Sequence, residues 1–270
     1  MKKKFKFGVI GAGFMSTAIV QGVLNAKVLS PSEVIVSDLN EDALQRISKI
    51  GVSTTTDNLF LCDNSEFVLF AVKPQSFSEV SSQIKDTNCN KFISIMAGVK
   101  KQRIKSAFSN AVLVARAMPN TPCSLSSGAI GVDLSDFASL VEDKSFIERL
   151  FSSIGVVVSV SEDLLGAVTG VSGSSPAYFY LFLKGIVDAG VKNGLDYNDA
   201  IKLATATMVG AGKMVESNPD KSLDDLINAV CSKGGTTIQA VNLYNDLGLS
   251  EITKKAVDAC INRSKELENL

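Results

Sequence analysis

Up to Ser161 the sequence alternates short β-branched runs with helical stretches, and from Glu162 onward the β-branched runs stop. Phe5 to Ile10, Val34 to Ser37, Phe67 to Ala71, Phe92 to Met96, Val112 to Ala115, Ala129 to Val132 and Val156 to Val160 have the length and residue types of strands. Met15 to Leu24, Glu41 to Ile50, Ser76 to Ile84, Lys101 to Phe108 and Ser145 to Ser153 carry helical spacing. Strand, helix, strand is the rhythm of parallel strands joined by crossovers, which puts helices on both faces of one sheet. After Ser161 only long helical patterns remain, punctuated by Gly, Pro and Asn. The expected fold is an α/β domain with a mostly parallel sheet over 1–162, followed by an all-α domain over 163–270.

In the second half, Ala177 to Val191 is apolar on nearly all faces, and Ile201 to Val215 is rich in Ala and Gly. A helix apolar all round must be buried on every side, which a domain of about a hundred residues achieves more easily against a partner. Dimerisation through this half is expected.

Composition excludes several function classes. Lys+Arg 27 against Asp+Glu 28 gives a net charge of −1, so no nucleic-acid footprint is expected. Mean hydropathy is +0.21. The longest apolar runs, such as Phe67 to Val72, are nevertheless strand-sized, far short of the ~20 residues of a membrane span. The basic start Met1 to Lys6 resembles the head of a secretory signal, but Gly8, Gly11 and Gly13 break the apolar run behind it. A cytoplasmic protein is expected. Five scattered cysteines without a C-x-x-C pair argue for reduced thiols and against zinc. Histidine is absent, which removes the commonest general acid and the commonest metal ligand together. No metal is expected, and any catalysis proceeds without imidazole.

Gly11-Ala12-Gly13-Phe14-Met15-Ser16 follows a strand and opens a helix, the context in which a glycine loop receives a dinucleotide. The first glycine permits the turn, and the second lets a pyrophosphate reach the amides of the helix N-terminus. Ser16 takes the place of a third glycine that serves helix packing. Asp38 ends the second strand where a carboxylate accepts hydrogen bonds from the adenosine ribose, and no arginine accompanies it, which favours NADH over NADPH. The same carboxylate can instead cap the helix beginning near Glu41. These features make the first domain Rossmann-like.

Further strand-end segments point to the same edge of the sheet. Ala71-Val72-Lys73-Pro74 is held extended by its proline. Ile95-Met96-Ala97-Gly98-Val99 is small enough to admit a nicotinamide near the backbone, and Arg116-Ala117-Met118-Pro119-Asn120-Thr121-Pro122 is rigid. In the helical half, Val171 to Tyr178 is a hydroxyl-rich lead into the apolar helix. Cys231-Ser232-Lys233-Gly234-Gly235-Thr236-Thr237-Ile238 places two glycines before a new helix whose amides form a carboxylate receptor. A plain helix–helix turn with a Thr N-cap has the same spacing.

In order and spacing, the glycine loop, Val72-Lys73-Pro74, Arg116 to Pro122, Gly170 to Tyr178 and Ser232 to Ile238 resemble pyrroline-5-carboxylate reductases over essentially the whole chain. The last three segments are specific to that family. The resemblance implies reduction of 1-pyrroline-5-carboxylate to L-proline, the last step of proline synthesis, with NADPH or NADH. It implies a homodimer of interlocked helical domains, each site pairing one subunit's cofactor domain with the other's helices, and leaves room for larger assemblies. The dinucleotide is placed on Gly11, Gly13, Phe14 and Met15, with Asp38 at the ribose and Asn58, Ala71, Val72, Lys73, Pro74 and Ala97 along the nicotinamide side. The imino-acid substrate falls to Ser232, Gly234, Gly235, Thr236 and Thr237, with the Thr237 hydroxyl at the ring nitrogen as the catalytic group.

The chain departs from the family pattern in three places. Lys233 stands where proline is usual, Ser217-Asn218-Pro219 replaces a His-Pro segment, and Asp38-Leu39 replaces a usual Asn-Arg. Two rivals share the architecture: a β-hydroxyacid dehydrogenase, whose lysine base would be Lys184, and a silent dinucleotide-binding subunit.

Overall fold

The computed structural model describes residues 3–268. Met1 and Lys2 of the basic start, and the last two positions of the 163–270 domain, lie outside the described residues. The strands are β1 (Phe5–Ile10), β2 (Val34–Ser37), β3 (Ser53–Thr55), β4 (Ser65–Phe70), β5 (Lys91–Ser94), β6 (Leu113–Met118), β7 (Gly128–Asp133) and β8 (Gly155–Ser159). Between them run α1 (Phe14–Asn25), α2 (Glu41–Ser48), α3 (Asn58–Asn64), α4 (Phe77–Ile84), α5 (Lys101–Lys105) and α6 (Val141–Ser152). They form one sheet of order β3-β2-β1-β4-β5-β6-β7-β8. Every neighbouring pair is parallel except β6 and β7.

Alternation along β4 shows how the layers are built. Phe67 and Leu69 enter one buried cluster with Phe7 and Phe146, whereas Val68 and Phe70 enter the other with Phe77 and Phe92. A strand buried on both faces reads as a continuous apolar run, which is why its sequence was legible. β3 and α3 were not expected. Ser53–Thr55 is polar and largely exposed, held by backbone pairing to β2. Asp57 then caps α3, its carboxylate accepting the Phe60 amide at 2.9 Å.

After β8 follow α7 (Leu165–Val168), α8 (Ser175–Lys192), α9 (Tyr197–Glu216), α10 (Leu223–Val230), α11 (Thr236–Asp246) and α12 (Leu249–Leu267). The chain divides into two compact units, one running to Ser174 and resuming at Cys260, the other Ser175–Ala259. The expected boundary at Glu162 and the division between the compact units after Ser174 are therefore different landmarks. Strand character ends before Glu162, but Leu165 and Gly166 are buried, and a Cβ on Gly131 of β7 would strike Val168 at 2.6 Å. These residues complete the sheet unit before the long helices begin.

In the helical unit, a Cβ on Gly190 of α8 would lie 3.5 Å from Ala200 of α9, and the Phe182 and Tyr244 rings pack 5.9 Å apart. Only Ser175 and Val187 of α8 are buried in the single chain, and Phe179, Tyr180 and Leu181 stand exposed. Among the described residues no helix is long and apolar enough to cross a membrane.

Candidate active site

A cavity of about 310 Å³ opens at the carboxyl edge of the sheet, where strand order reverses between β1 and β4. Gly11 and Gly13 line it from the β1–α1 turn, Ser37, Asp38 and Leu39 from the end of β2, and Ala71, Val72 and Lys73 from the end of β4. Asn58 of α3 and Ser76, Glu79, Val80 and Gln83 on the α4 side close it.

The turn is shaped by backbone demands that only glycine meets. Gly11 has φ +105, and a Cβ on it would stand 2.8 Å from the Ala71 carbonyl oxygen. Its amide donates to the Ser37 carbonyl at 2.7 Å. Gly13 faces open space and is the N-cap of α1, with no side-chain hydrogen bond to the first turn. Those amides and the helix dipole therefore point at a concavity that any side chain on Gly13 would fill, which fits the pyrophosphate of a dinucleotide. Ser16, in place of the third glycine, is buried and donates to the Gly13 carbonyl at 2.9 Å.

Asp38 accepts the Ala12 amide at 2.7 Å and the Asn40 amide at 2.8 Å. The cap of α2 is Asn40, whose side chain accepts the Ala43 amide at 3.1 Å, so the carboxylate is not spent as that cap. Ser37 donates to Asn58 at 2.6 Å, and Asn58 donates to Gln83 at 2.7 Å. Asn58 is thus tied to the end of β2, next to Asp38 in the chain, and to α4 across the cavity. It begins α3, which follows the edge strand β3 beside β2. Lys73 is exposed and extended before Pro74, as the proline dictates.

Of the expected dinucleotide residues, Gly11, Gly13, Asp38, Asn58, Ala71, Val72 and Lys73 come together on the cavity wall. Phe14, Met15, Pro74 and Ala97 do not line it: Phe14 projects outward and Met15 leans on the core. Ser76, Glu79, Val80 and Gln83 were missed. They lie in and just before an ordinary amphipathic helix, whose pattern does not say which turn faces a ligand.

Arg116 and Asn120 are braces. The Arg116 guanidinium is buried and donates to Glu162 at 2.8 Å. Asn120 accepts the Ala129 amide at 3.0 Å and donates to the Ser172 carbonyl at 3.1 Å.

In the helical unit, Gly235 is the N-cap of α11, again without a side-chain hydrogen bond, and its amide donates to the Ser232 carbonyl at 3.0 Å. A Thr N-cap is thereby excluded. Thr236 and Thr237 occupy the first helical turn and are exposed, as are Ser232 and Gly234. Lys184 is exposed and paired with Asp188, which pushes its ammonium pKa upward through the hydrogen bond and the carboxylate charge. A general base needs the opposite shift, so Lys184 does not suit a hydroxyacid dehydrogenase.

Residues 162–267 match the family described as pyrroline-5-carboxylate reductase dimerisation, and residues 6–98 match that described as NADP oxidoreductase, coenzyme F420-dependent. The pyrroline-5-carboxylate reductase of Methanosarcina acetivorans is 36% identical over 266 residues, 97% of each chain. Pyrroline-5-carboxylate reductase 2 of Homo sapiens is 35% identical over 97% of this chain and 84% of that one. Among solved structures, the enzyme of Coxiella burnetii superposes with TM-score 0.88 at 32% identity, covering 98% of this chain and 99% of that one. The Plasmodium falciparum enzyme, solved with NADP bound, gives TM-score 0.87 at 25% identity over 99% and 100%.

Proposed function

This chain belongs to the pyrroline-5-carboxylate reductase family, and on that premise we propose how its own residues divide the work of reducing 1-pyrroline-5-carboxylate to L-proline with NAD(P)H. The observation that carries the reading is the conjunction, in one chain, of the Gly11–Gly13–Asp38 cavity with the uncapped α11 start at Gly235-Thr236-Thr237.

Gly11 and Gly13 admit the coenzyme pyrophosphate to the amides of α1, Asp38 holds the ribose, and Asn58 and Ala71 to Pro74 with Ala97 border the nicotinamide. When bound, the reduced nicotinamide supplies the hydride. The substrate carboxylate sits on the amides around Gly234, Gly235 and Thr236, with Ser232 beside them, where the helix dipole favours an anion. The cyclic imine is basic enough to take its proton from water near neutral pH, so no histidine is needed. Its N–H then donates to the Thr237 hydroxyl oxygen, which aligns the imine carbon. Catalysis is chiefly positioning.

The exposed apolar residues of α8 support a homodimer of interlocked helical domains, with the cofactor domain of one subunit completing a site on the helices of the other. The location is cytoplasmic. Asp38 and Leu39 favour NADH.

The test is coenzyme oxidation followed by absorbance, with 1-pyrroline-5-carboxylate beside 3-hydroxy acids. Only the imine should be turned over. Thr237→Val should lower kcat/KM by an amount corresponding to about 1–3 kcal/mol while leaving coenzyme binding intact. Unchanged kcat/KM removes Thr237 from the mechanism, and no turnover of the imine overturns the reading.

A further inference from the structure

The last turn of α12 lies in the same compact unit as the sheet and closes on the loop that follows β5. Gly98 in that loop has φ +73, and a Cβ on it would stand 2.8 Å from Leu267 Cβ and 3.0 Å from the Leu267 carbonyl carbon. Backbone thus rests against backbone with no room for a side chain between them. Glu268 follows directly and is held by two cations. Its carboxylate lies 3.5 Å from the Arg116 guanidinium on β6 and 3.5 Å from Lys100 Nζ, two residues beyond Gly98.

Arg116 is 2% exposed, so its charge must be met by carboxylates. Glu162 meets it at 2.8 Å, and the same Glu162 oxygen accepts the Lys101 amide at 2.7 Å, the first amide of α5. The stretch from Gly98 to Lys101 is therefore fastened at Gly98, Lys100 and Lys101, and two of those fastenings run through Leu267 and Glu268.

This stretch lies in the β4–β5–β6 half of the sheet, across the order reversal from Asp38, which is the nicotinamide half of a doubly wound site. We propose that Glu268, with Leu267, is a positioning residue: it holds the Ala97–Gly98 loop where the nicotinamide ring rests, and leaves the adenosine half untouched. The proposal rests on the reductase reading, in which Ala97 borders that ring.

The test compares equilibrium binding of two ligands to the full-length protein: the reduced coenzyme, and ADP-ribose, which lacks the nicotinamide. In Glu268→Ala the Kd of the reduced coenzyme should rise at least fivefold, with a matching rise in its KM, while the Kd of ADP-ribose stays within twofold of wild type. Glu268→Asp should recover part of the loss because it keeps the charge. Gly98→Ala, which displaces Leu267 from the other side, should show the same pattern. Should Glu268→Ala fail to fold, Glu268→Gln, which keeps the volume and loses the charge, carries the same comparison.

Parallel weakening of both ligands would mean a general structural role and overturn the proposal, and so would unchanged binding of both. Neither Kd requires turnover. A wild type that binds coenzyme but does not reduce the imine would sink the reductase reading alone, whereas equal ligand binding in an active variant sinks only this inference.

Discussion

The Asp38 carboxylate accepts the Ala12 amide at 2.7 Å, tying the end of β2 to the glycine loop. Its other oxygen accepts the Asn40 amide at 2.8 Å. The carboxylate is thus oriented by the backbone at the cavity wall, with the exposed Leu39 next to it. Like charge opposes a 2′-phosphate, an effect worth ~1–3 kcal/mol for a close pair near the surface.

Asp38→Asn with Leu39→Arg should shift the ratio of kcat/KM values toward NADPH at least tenfold, chiefly through KM. Asp38→Asn alone should weaken both coenzymes, because an amide has one oxygen to offer where the carboxylate accepts two N–H groups. Steady-state kinetics with each coenzyme decide it. An unmoved ratio in the double variant would make Asp38 a brace of the loop and nothing more.

Phe182 is 42% exposed in the single chain and packs on Tyr244, amid an exposed apolar surface that includes Phe179, Tyr180 and Leu181. Phe182→Asp should therefore yield a monomer without activity, because an interface cannot bury an unpaired carboxylate. Light scattering together with the activity assay checks this. A fully active wild-type monomer at micromolar concentration contradicts it.

Lys101 is a buried cation whose ammonium donates to Asp133 at 2.6 Å and to Asp136 at 3.2 Å. Burial pulls its pKa down, but hydrogen bonds and charge from the two aspartates outweigh it and raise the value. Burial pushes Asp133 and Asp136 up, but hydrogen bonds from Lys101 and Ser135 to Asp133, and from Lys105, the Val114 amide and Lys101 to Asp136, bring both below the ordinary range. Depressed carboxylates contribute stability above their unfolded pKa and lose it as pH falls through the folded value. The raised lysine contributes below its unfolded pKa and loses it as pH rises through the folded value. Thermal stability should then be flat through neutrality, fall below the ordinary carboxylate range and fall again above the ordinary lysine range. Lys101→Met leaves the buried Asp133 without its cation, while Asp136 keeps Lys105 at 2.7 Å, and should cost about 3–5 kcal/mol in denaturant unfolding at neutral pH. A loss under 1 kcal/mol, a bound at the scale of an exposed pair, would show that solvent screens the cluster.

Burial pushes the Cys62, Cys89 and Cys123 thiols up, away from the reactive thiolate, whereas Cys231 and Cys260 are half-buried. An exposed-thiol reagent should leave Cys62, Cys89 and Cys123 unmodified in the native protein and reach them after denaturation. Mass mapping of the labelled peptides reads this directly. Labelling of Cys62 at the unfolded-state rate would contradict its burial.

Local pattern was enough for the strand–helix alternation, the glycine loop and the apolar second half. The turn at Gly11 and Gly13 is encoded by residues adjacent in the chain, and the double-sided burial of β4 shows as an unbroken apolar run. β3 escaped because Ser53–Thr55 is held by backbone hydrogen bonds to β2, which leave no signature in side-chain types. β7 was legible as a strand over Ala129 to Val132, but its antiparallel direction was not, since direction depends on the path of the connection and not on the strand's own residues. That Asn58 lines the cavity depends on where the sheet places β3 and the helix after it. The Arg116–Glu268 contact spans 152 positions, and no local periodicity reports it. Residue chemistry and spacing determined which elements form and which groups are available to react. Only the packed structure decided which of them meet, because burial in a shared low-dielectric interior pairs charges and amides that the chain keeps far apart.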